Sequence, residues 1–235
     1  MVGIYPPVIT IDGPSASGKG AVSEFLSNKT GFNHLDSGLL YRLFGLEVLS
    51  QGISLSVLAD DWRESKRLAA CLEAKLSGRA KETKNGPLSP IFVNGNSDAR
   101  TEQAGAFASK IAKIPPVRRA LLDLQRSFRA LPGLIADGRD MGSVVFPDAL
   151  LKVFLTASPS SRAERRHKQL KDKGINVSLD ALKKSLVERD YHDSTRRASP
   201  LKSSEDSMII DSTDLDIGQV SSMIEKKMGD LLGER

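Results

Sequence analysis

Val8-Ile9-Thr10-Ile11-Asp12 runs directly into Gly13-Pro14-Ser15-Ala16-Ser17-Gly18-Lys19-Gly20, and this junction decides the fold. The first stretch is β-branched and apolar, which predicts a buried strand. The second matches the spacing G-x-x-x-x-G-K, and behind it Val22, Phe25 and Leu26 have the spacing of one apolar helix face. Backbone N–H groups, a helix N-terminus and a lysine meet phosphate oxygens in such a loop. The junction therefore predicts a site for nucleotide phosphates.

Strands and helices alternate along most of the remaining chain. Apolar runs predict further strands over 32–35, 134–136, 151–155 and 208–210, and helical spacing predicts helices over 39–49, 62–76, 101–113, 115–129, 160–172, 179–193 and 217–232. This alternation predicts an α/β fold around a parallel sheet. The pattern weakens over 61–100, where Ile91-Phe92-Val93 and Asn94-Gly95 predict a short strand and a hairpin turn. We interpret that stretch as a small insert in a core made of 1–60 and 101–235.

The composition is that of a globular protein with a basic surplus. The 235 residues carry a formal charge of +5, which fits either nucleic acid or small anions. Aromatic residues make up only 5% of the chain, which is thin for stacking on bases, so we expect nucleotides as ligands and no nucleic acid. One cysteine excludes a disulfide framework, and three scattered histidines predict no protein-held metal site.

Few patterns in the sequence predict targeting, membrane insertion or self-association. The N-terminus lacks the basic and apolar regions of a signal peptide, and no apolar run approaches the length that spans a membrane. No heptad repeat or long apolar stripe stands out. We therefore expect a cytoplasmic monomer.

Gly20 narrows the class of phosphate-binding protein. It stands where most such loops carry Ser or Thr, whose hydroxyl binds Mg²⁺. This argues against GTPases and motor-type ATPases. It agrees with small-acceptor kinases in which phosphates and water hold most of the magnesium shell.

Arginine and aspartate recur together in three clusters, which span Asp36–Arg42, Asp137–Asp140 and Arg189–Arg197. The first two follow predicted strands, where open α/β sheets bind ligands. Arginine can hold a phosphate through two parallel hydrogen bonds, and aspartate can accept from ribose hydroxyls or orient an arginine. A solvated surface ion pair is the alternative for any single cluster. Together with the phosphate-binding loop, the three clusters predict an acceptor site.

The predicted helix over 160–172 is strongly basic. Arg162, Arg165 and Arg166 have the spacing that puts side chains on one face. Like charges on one face cost stability, and an anionic ligand would relieve that cost. We interpret the segment at about 158–174 as a lid that closes over the transferring phosphoryl group. A solvated basic face or an RNA contact is the alternative.

The chain resembles the bacterial-type cytidylate kinases over nearly its whole length. The most specific strings are Leu35-Asp36-Ser37-Gly38 with Tyr41-Arg42, and Asp137-Gly138-Arg139-Asp140-Met141-Gly142. Other matching pieces are Ile11–Gly20, Arg100-Thr101, Ala108-Ser109, Val117-Arg118, Val145–Asp148, Glu188–Arg196 and Asp211–Thr213. The resemblance implies a P-loop NTPase core of three layers with a five-stranded parallel sheet. It makes 61–100 the monophosphate-binding insert.

The resemblance also implies an activity and a set of roles. The activity is transfer of the γ-phosphoryl group of ATP to CMP or dCMP, with Mg²⁺. ATP would be held by Gly13, Pro14, Ser15, Ala16, Ser17, Gly18, Lys19, Gly20 and Ala21. The acceptor phosphate would be held by Ser37, Arg42 and Arg139, the cytosine by Ser109, Arg118 and Arg196, and the ribose by Asp193 as oriented by Arg189. Asp140 would organise the point where the phosphates meet, and Lys19, Arg139, Arg162 and Arg166 would stabilise the transferring charge.

Two positions depart from the family pattern. Ala21 replaces a threonine after the loop, which removes one hydroxyl contact to phosphate, and His192 replaces a common arginine. Other small-acceptor kinases, for adenylate, uridylate or shikimate, are the nearest alternatives. A basic RNA-binding protein is the alternative from a different class.

Overall fold

The computed structural model describes residues 5–80, 97–196 and 199–233. Five strands form one sheet: β1 (Val8–Asp12), β2 (Asn33–Asp36), β3 (Leu134–Gly138), β4 (Leu151–Thr156) and β5 (Met208–Asp211), in the order β2-β3-β1-β4-β5. The strands run parallel, and Ile9 of β1 pairs with Leu151 of β4, whose Val153 pairs with Met208 of β5. The predicted α/β fold with a five-stranded parallel sheet is confirmed.

Nine α-helices lie in the described residues. They are α1 (Lys19–Thr30), α2 (Ser37–Ser50), α3 (Leu55–Asp60), α4 (Trp62–Ala80), α5 (Glu102–Ile111), α6 (Pro115–Ser127), α7 (Pro159–Lys171), α8 (Leu179–Thr195) and α9 (Ile217–Gly233). A 3₁₀ turn covers Ser97–Arg100 and a π-helical turn covers Met141–Val145. Most predicted helices are confirmed to within a few residues at each end.

Local chemistry explains where several helices begin and end. Asp36, Ser54, Thr101, Ser158 and Ser178 each accept a backbone N–H bond in the first turn of α2, α3, α5, α7 and α8. Gly31 and Gly174, which follow the ends of α1 and α7, have positive φ angles of 73° and 74°. Glycine reaches this backbone region at little cost.

Three elements were not predicted, among them the 3₁₀ turn Ser97–Arg100, and one prediction about packing is wrong. The six-residue helix α3 is too short to show a period, and the π-helical turn contains Gly142 and two valines, which favour helix poorly. Val22 and Leu26 of α1 are buried, but Phe25 is 42% exposed and lies beside Lys29. Phe25 sits at the margin of an apolar stripe that Val22 and Leu26 define.

The chain divides into two compact units. The first comprises Met1–Pro7 and Thr30–Ala136, and the second comprises Val8–Lys29 and Asp137–Arg235. In the first unit, α2 packs against α5 and α4, and α4 packs against α6. In the second unit, β4 lies between β1 and β5, and α7 packs against α8. The predicted strand at 91–93 and turn at 94–95 lie outside the described residues, and the division into a core and an insert over 61–100 stays a prediction.

Candidate active site

The loop from Gly13 to Gly20, here called the phosphate loop, joins β1 to α1. Gly13 has no room for a side chain, because a Cβ there would lie 2.1 Å from the carbonyl oxygen of Leu155. Ala16 and Gly18 have φ angles of 60° and 96°, so the loop includes a non-glycine residue in the left-handed region. Such strain is held in place by the surrounding structure and is common at binding sites. Lys19 begins α1 and donates from Nζ to the carbonyl oxygen of Pro14 at 3.1 Å.

Two arginines from distant parts of the chain meet at Ser15 of this loop. Arg139 Nη2 donates to Ser15 Oγ at 2.7 Å, and Arg162 Nη1 donates to the Ser15 carbonyl oxygen at 3.2 Å. Arg162 also donates to the Ala157 carbonyl oxygen at 3.0 Å and is only 4% exposed. The phosphate loop therefore carries two guanidinium groups beside its own lysine.

Each of these arginines is paired with an aspartate of α8. Arg139 Nε lies 2.9 Å from Asp193 Oδ2, and Arg162 Nη2 lies 2.6 Å from Asp190 Oδ2. The two aspartates are three residues apart, so they share one face of α8. The helix thus presents two carboxylates to the two arginines that touch Ser15.

The arginines on the basic face of α7 make hydrogen bonds and an ion pair within the protein. We predicted that Arg162, Arg165 and Arg166 form a crowded positive face in need of an anion, and this premise is wrong for Arg162, which Asp190 neutralises. Arg165 donates to the Ser17 carbonyl oxygen at 3.2 Å and to Ser212 Oγ at 3.0 Å. Arg166 donates to Gln169 Oε1 at 3.2 Å. Arg162 and Arg165 therefore tie the first turns of α7 to the phosphate loop.

Asp193 stays ionised well into the acidic range. Burial alone would raise the pKa of its carboxyl, but the charge and hydrogen bond of Arg139, with the charges of Arg189 and Arg196, lower that pKa overall. We predicted that Arg189 orients Asp193; Arg139 Nε donates a hydrogen bond to Asp193 Oδ2, and the charge of Arg189 also lowers the pKa of Asp193. Arg139 is thus a partner of Asp193 that sequence reasoning did not anticipate.

Asp140 and Arg196 are also close in the second unit. Arg196 Nη2 lies 3.9 Å from Asp140 Oδ1, and Arg196 Nε donates to the Ser199 carbonyl oxygen. Asp140 is 4% exposed. The second unit therefore holds Arg139 and Arg162 against the phosphate loop, Asp193 against Arg139, and Arg196 near Asp140.

The first unit holds the other predicted acceptor residues. Ser37, at the start of α2, accepts a hydrogen bond from Gln125 Nε2 at 3.2 Å, and both side chains are buried. Arg42 Nη1 donates to the carbonyl oxygens of Ala99 and Thr101 at 3.0 and 3.1 Å. Arg42 passes close over Gly105, where a Cβ would lie 2.8 Å from Nη2. The contact of Gln125 with Ser37 could not be predicted from the sequence, because glutamine is common inside amphipathic helices and no local pattern distinguishes this one.

Two predicted base-reading residues lie on neighbouring helices of this unit. Ser109, on α5, is half-buried. Arg118, on α6, donates from Nη1 to the Ala112 carbonyl oxygen at 3.5 Å. The Pro115-Pro116 start of α6 places Arg118 in the first turn of that helix.

Comparison with known proteins settles the family. The family model described as cytidylate kinase matches residues 9–229. The chain belongs to the cytidylate kinase family. A curated cytidylate kinase from Nitrosomonas eutropha is 47% identical to this chain over 92% of each chain. One from Pseudomonas entomophila is also 47% identical, over 94% of this chain and 95% of its own. That of Aeromonas salmonicida is 44% identical over 95% of this chain and 96% of its own.

The family match confirms the resemblance drawn from the two arginine–aspartate strings. A gluconokinase structure from Sinorhizobium meliloti 1021 is also similar, with a TM-score of 0.45 and 15% identity over 93% of this chain and 89% of that chain. Among the described residues, no helix has both the length and the apolar character needed to cross a bilayer. Within the same residues, no three His, Cys, Asp or Glu side chains group to hold a metal ion.

Proposed function

We propose that this member of the cytidylate kinase family transfers the γ-phosphoryl group of ATP to CMP or dCMP, giving ADP and CDP or dCDP. The observation that carries the proposal is the meeting of Arg139 and Arg162 at Ser15 of the phosphate loop. Phosphoryl transfer is catalysed mainly by alignment and by neutralisation of charge on the transferring group. A loop lysine with two converging guanidinium groups supplies both.

On the ATP side, the phosphate loop and Ala21 bind the nucleotide. Backbone N–H groups at the start of α1 would face the phosphates, and Lys19 would leave the Pro14 carbonyl oxygen for the β- and γ-phosphates. Gly20 offers no side-chain oxygen to a metal. Mg²⁺ is therefore proposed to arrive with ATP, held by phosphate and water, where it neutralises phosphate charge.

Proposed acceptor-binding residues are found in both units. In the first unit, Ser37 and Arg42 bind the acceptor phosphate, and Ser109 and Arg118 bind the cytosine. Since Gln125 donates to Ser37 Oγ, the Ser37 proton remains available for an anionic oxygen.

In the second unit, Arg139 and Asp140 act on the phosphates, Asp193 accepts from the ribose hydroxyls and Arg196 reads the base. Arg189 supports Asp193 through its charge. The acceptor oxygen is already anionic, so the reaction needs no strong general base. Arg162 and Arg166 are proposed to stabilise the transferring group, with about 158–174 as the lid and 61–100 as the monophosphate-binding insert. We further propose that the enzyme is a cytoplasmic monomer that binds neither nucleic acid nor membrane.

The deciding experiment is a coupled assay of ADP formation with CMP, dCMP, UMP, AMP and shikimate as acceptors. We expect turnover with CMP and dCMP well above that with every other acceptor and above hydrolysis in the absence of an acceptor. Turnover with another acceptor instead would replace the substrate assignment. Absence of turnover with all five, together with salt-sensitive RNA binding, would favour the RNA-binding alternative.

A further inference from the structure

Asp12 is a buried carboxylate at the end of β1, and its exposed fraction is only 6%. Its Oδ1 accepts a hydrogen bond from the backbone N–H of Met141, and its Oδ2 accepts one from the backbone N–H of Gly142. Both N···O distances are 2.8 Å. Each carboxylate oxygen therefore holds one residue of a segment that lies about 130 positions further along the chain.

The two N–H groups belong to the first turn of the π-helix Met141–Val145. Asp140 occupies the capping position of that turn, but its side chain makes no capping hydrogen bond. Asp12, at the end of β1, therefore caps this turn in place of Asp140. The first N–H groups of a helical turn have no partner within the turn, so such a cap stabilises it.

The turn also lies directly against β1. A Cβ on Gly142 would come within 2.7 Å of Thr10 Oγ1, so the glycine allows the backbone to approach the strand. Asp12 immediately precedes Gly13, where the phosphate loop begins, and Met141 immediately follows Arg139 and Asp140. One carboxylate thus joins the start of the phosphate loop to the segment that carries two proposed catalytic side chains.

We propose that Asp12 is a positioning residue of the phosphoryl transfer, which acts by fixing the backbone of Arg139 and Asp140 relative to the phosphate loop. The inference rests on the proposed function, in which Arg139 and Asp140 act on the phosphates. Misplacement of a reacting group by about 1 Å can cost about a hundredfold in rate, so a residue that sets this spacing acts on kcat.

The ionised form of Asp12 is the one that fits its two partners. A carboxylate accepts at both oxygens, whereas a carboxylic acid or an amide would turn one donor toward a backbone N–H. Burial raises the pKa of Asp12 from 3.8 to about 6, the two backbone bonds oppose that rise, and the charges of Asp140 and Arg139 act in opposite directions. Protonation in mildly acidic solution therefore weakens one of the two bonds.

The test compares Asp12→Asn with Thr10→Val in steady-state kinetics with ATP and CMP. Thr10→Val is the matched control, since it alters the same strand beside the same turn and Thr10 Oγ1 makes no hydrogen bond to any described residue. Calorimetric titration with an ATP analogue gives the fraction of each variant that is folded and competent. We expect Asp12→Asn to lower kcat per competent enzyme by about 10- to 100-fold with little change in ATP affinity. Thr10→Val should stay within about threefold of the parent.

The pH dependence of kcat distinguishes a positioning role of Asp12 from a purely structural one. The ratio of parent to Asp12→Asn kcat should shrink as the pH falls through about 6, because the parent then becomes protonated at Asp12. Titration of the substrates cancels in this ratio. Asp12→Ser, which removes the charge without adding an amide, serves if Asp12→Asn does not fold.

Two outcomes would overturn the inference. One is kcat per competent enzyme within about threefold of the parent for the Asp12 variant that folds, and the other is an equal loss in Thr10→Val. Failure of the parent to phosphorylate any monophosphate would instead overturn the proposed function. In that case, unchanged hydrogen exchange of the Met141 and Gly142 amides in Asp12→Asn would also remove the basis of the inference, and faster exchange would support it.

Discussion

Asp193 Oδ2 lies 2.9 Å from Arg139 Nε, so a guanidinium group proposed for the acceptor phosphate already holds a carboxylate. Arg139 keeps this partner across the physiological pH range, because the surrounding arginines lower the pKa of Asp193. Phosphate binding at Arg139 must therefore compete with Asp193. In the proposed complex, the ribose hydroxyls give Asp193 a new partner when Arg139 turns to the phosphate.

Arg196 is expected to discriminate between bases. Arginine only donates hydrogen bonds, which suits the N3 and O2 acceptors of cytosine and opposes the N3–H of uracil. Arg196→Ala should lower kcat/KM for CMP and dCMP and reduce the difference in kcat/KM between these substrates and UMP. The reason is that uracil leaves the buried Arg196 donor unpaired, which costs about 1–3 kcal/mol. Arg139→Ala is the control and should lower kcat/KM for all three alike. An equal loss for all three in Arg196→Ala would mean that Arg196 does not read the base.

Lys19 is expected to be needed for turnover and not for folding. Lys19→Ala should lower kcat by about 100- to 1,000-fold, as loss of a charge-stabilising donor does elsewhere. Its melting temperature should stay close to that of the parent, because Lys19 is only half-buried at the start of α1 and its removal takes no apolar side chain out of the core. Lys29→Ala is the matched control on the same helix, where Lys29 pairs with Glu225 at the surface. Activity of Lys19→Ala within a few-fold of the parent would contradict the phosphate-loop assignment.

Asp190 is expected to stabilise the ligand-free protein. Asp190→Asn leaves the buried guanidinium of Arg162 without its carboxylate, which should lower the free energy of unfolding by about 1–3 kcal/mol. An ATP analogue should then raise the melting temperature of the variant more than that of the parent, since a phosphate can replace the lost charge. Asp206→Asn breaks the exposed pair with Lys152 and should have little effect. Equal ligand stabilisation in parent and Asp190→Asn would contradict the role proposed for Arg162.

Closure of the lid should be visible in hydrogen exchange. With ATP and CMP together, we expect slower exchange over residues 160–172 than with either ligand alone, because Arg162 and Arg165 already tie this helix to the phosphate loop. Helix α9 is the internal control, and its exchange should not change. Unchanged exchange over 160–172 with both ligands would contradict the lid assignment.

Asp12 should make folding stability depend on pH. Its pKa is raised on folding, so its contribution to stability is complete below 3.8 and is lost as the pH rises through about 6. The difference between 3.8 and about 6 corresponds to about 3 kcal/mol. Asp12→Asn lacks this titration, so its stability relative to the parent should increase from about pH 4 to about pH 7 in denaturant unfolding. Parallel stability curves for the two proteins would contradict the raised pKa.

The phosphate loop and most helices could be predicted because their signals are local. The glycine spacing and the β-branched strand before it specify the loop within 13 residues, and apolar spacing marks most helices. Two of the arginine–aspartate strings nominate the candidate site because they follow predicted strands, where open α/β sheets bind ligands. Residue types and spacing were therefore enough to predict the fold class, and they nominate the candidate side chains.

Partners that lie far apart along the chain could not be predicted in the same way. Asp12 and Gly142 are separated by 130 positions, and Ser37 and Gln125 by 88, so no local pattern records either bond. The same holds for Arg162, whose neighbours on α7 suggested an exposed basic face while Asp190 of another helix neutralises it. The charges along one helix do not predict which oppositely charged side chains a neighbouring helix places against it.

The carboxylates of α8 also affect which anions can bind Arg139 and Arg162. Asp190 and Asp193 are tethered beside Arg162 and Arg139, so they compete at a high effective concentration with any anion from solution. Sulfate offers charge but no hydroxyl donor, so it leaves a displaced aspartate with no new partner. A nucleotide offers hydroxyl groups as well. In the proposed complex, the site would therefore bind a phosphate attached to a sugar in preference to a free inorganic anion such as sulfate.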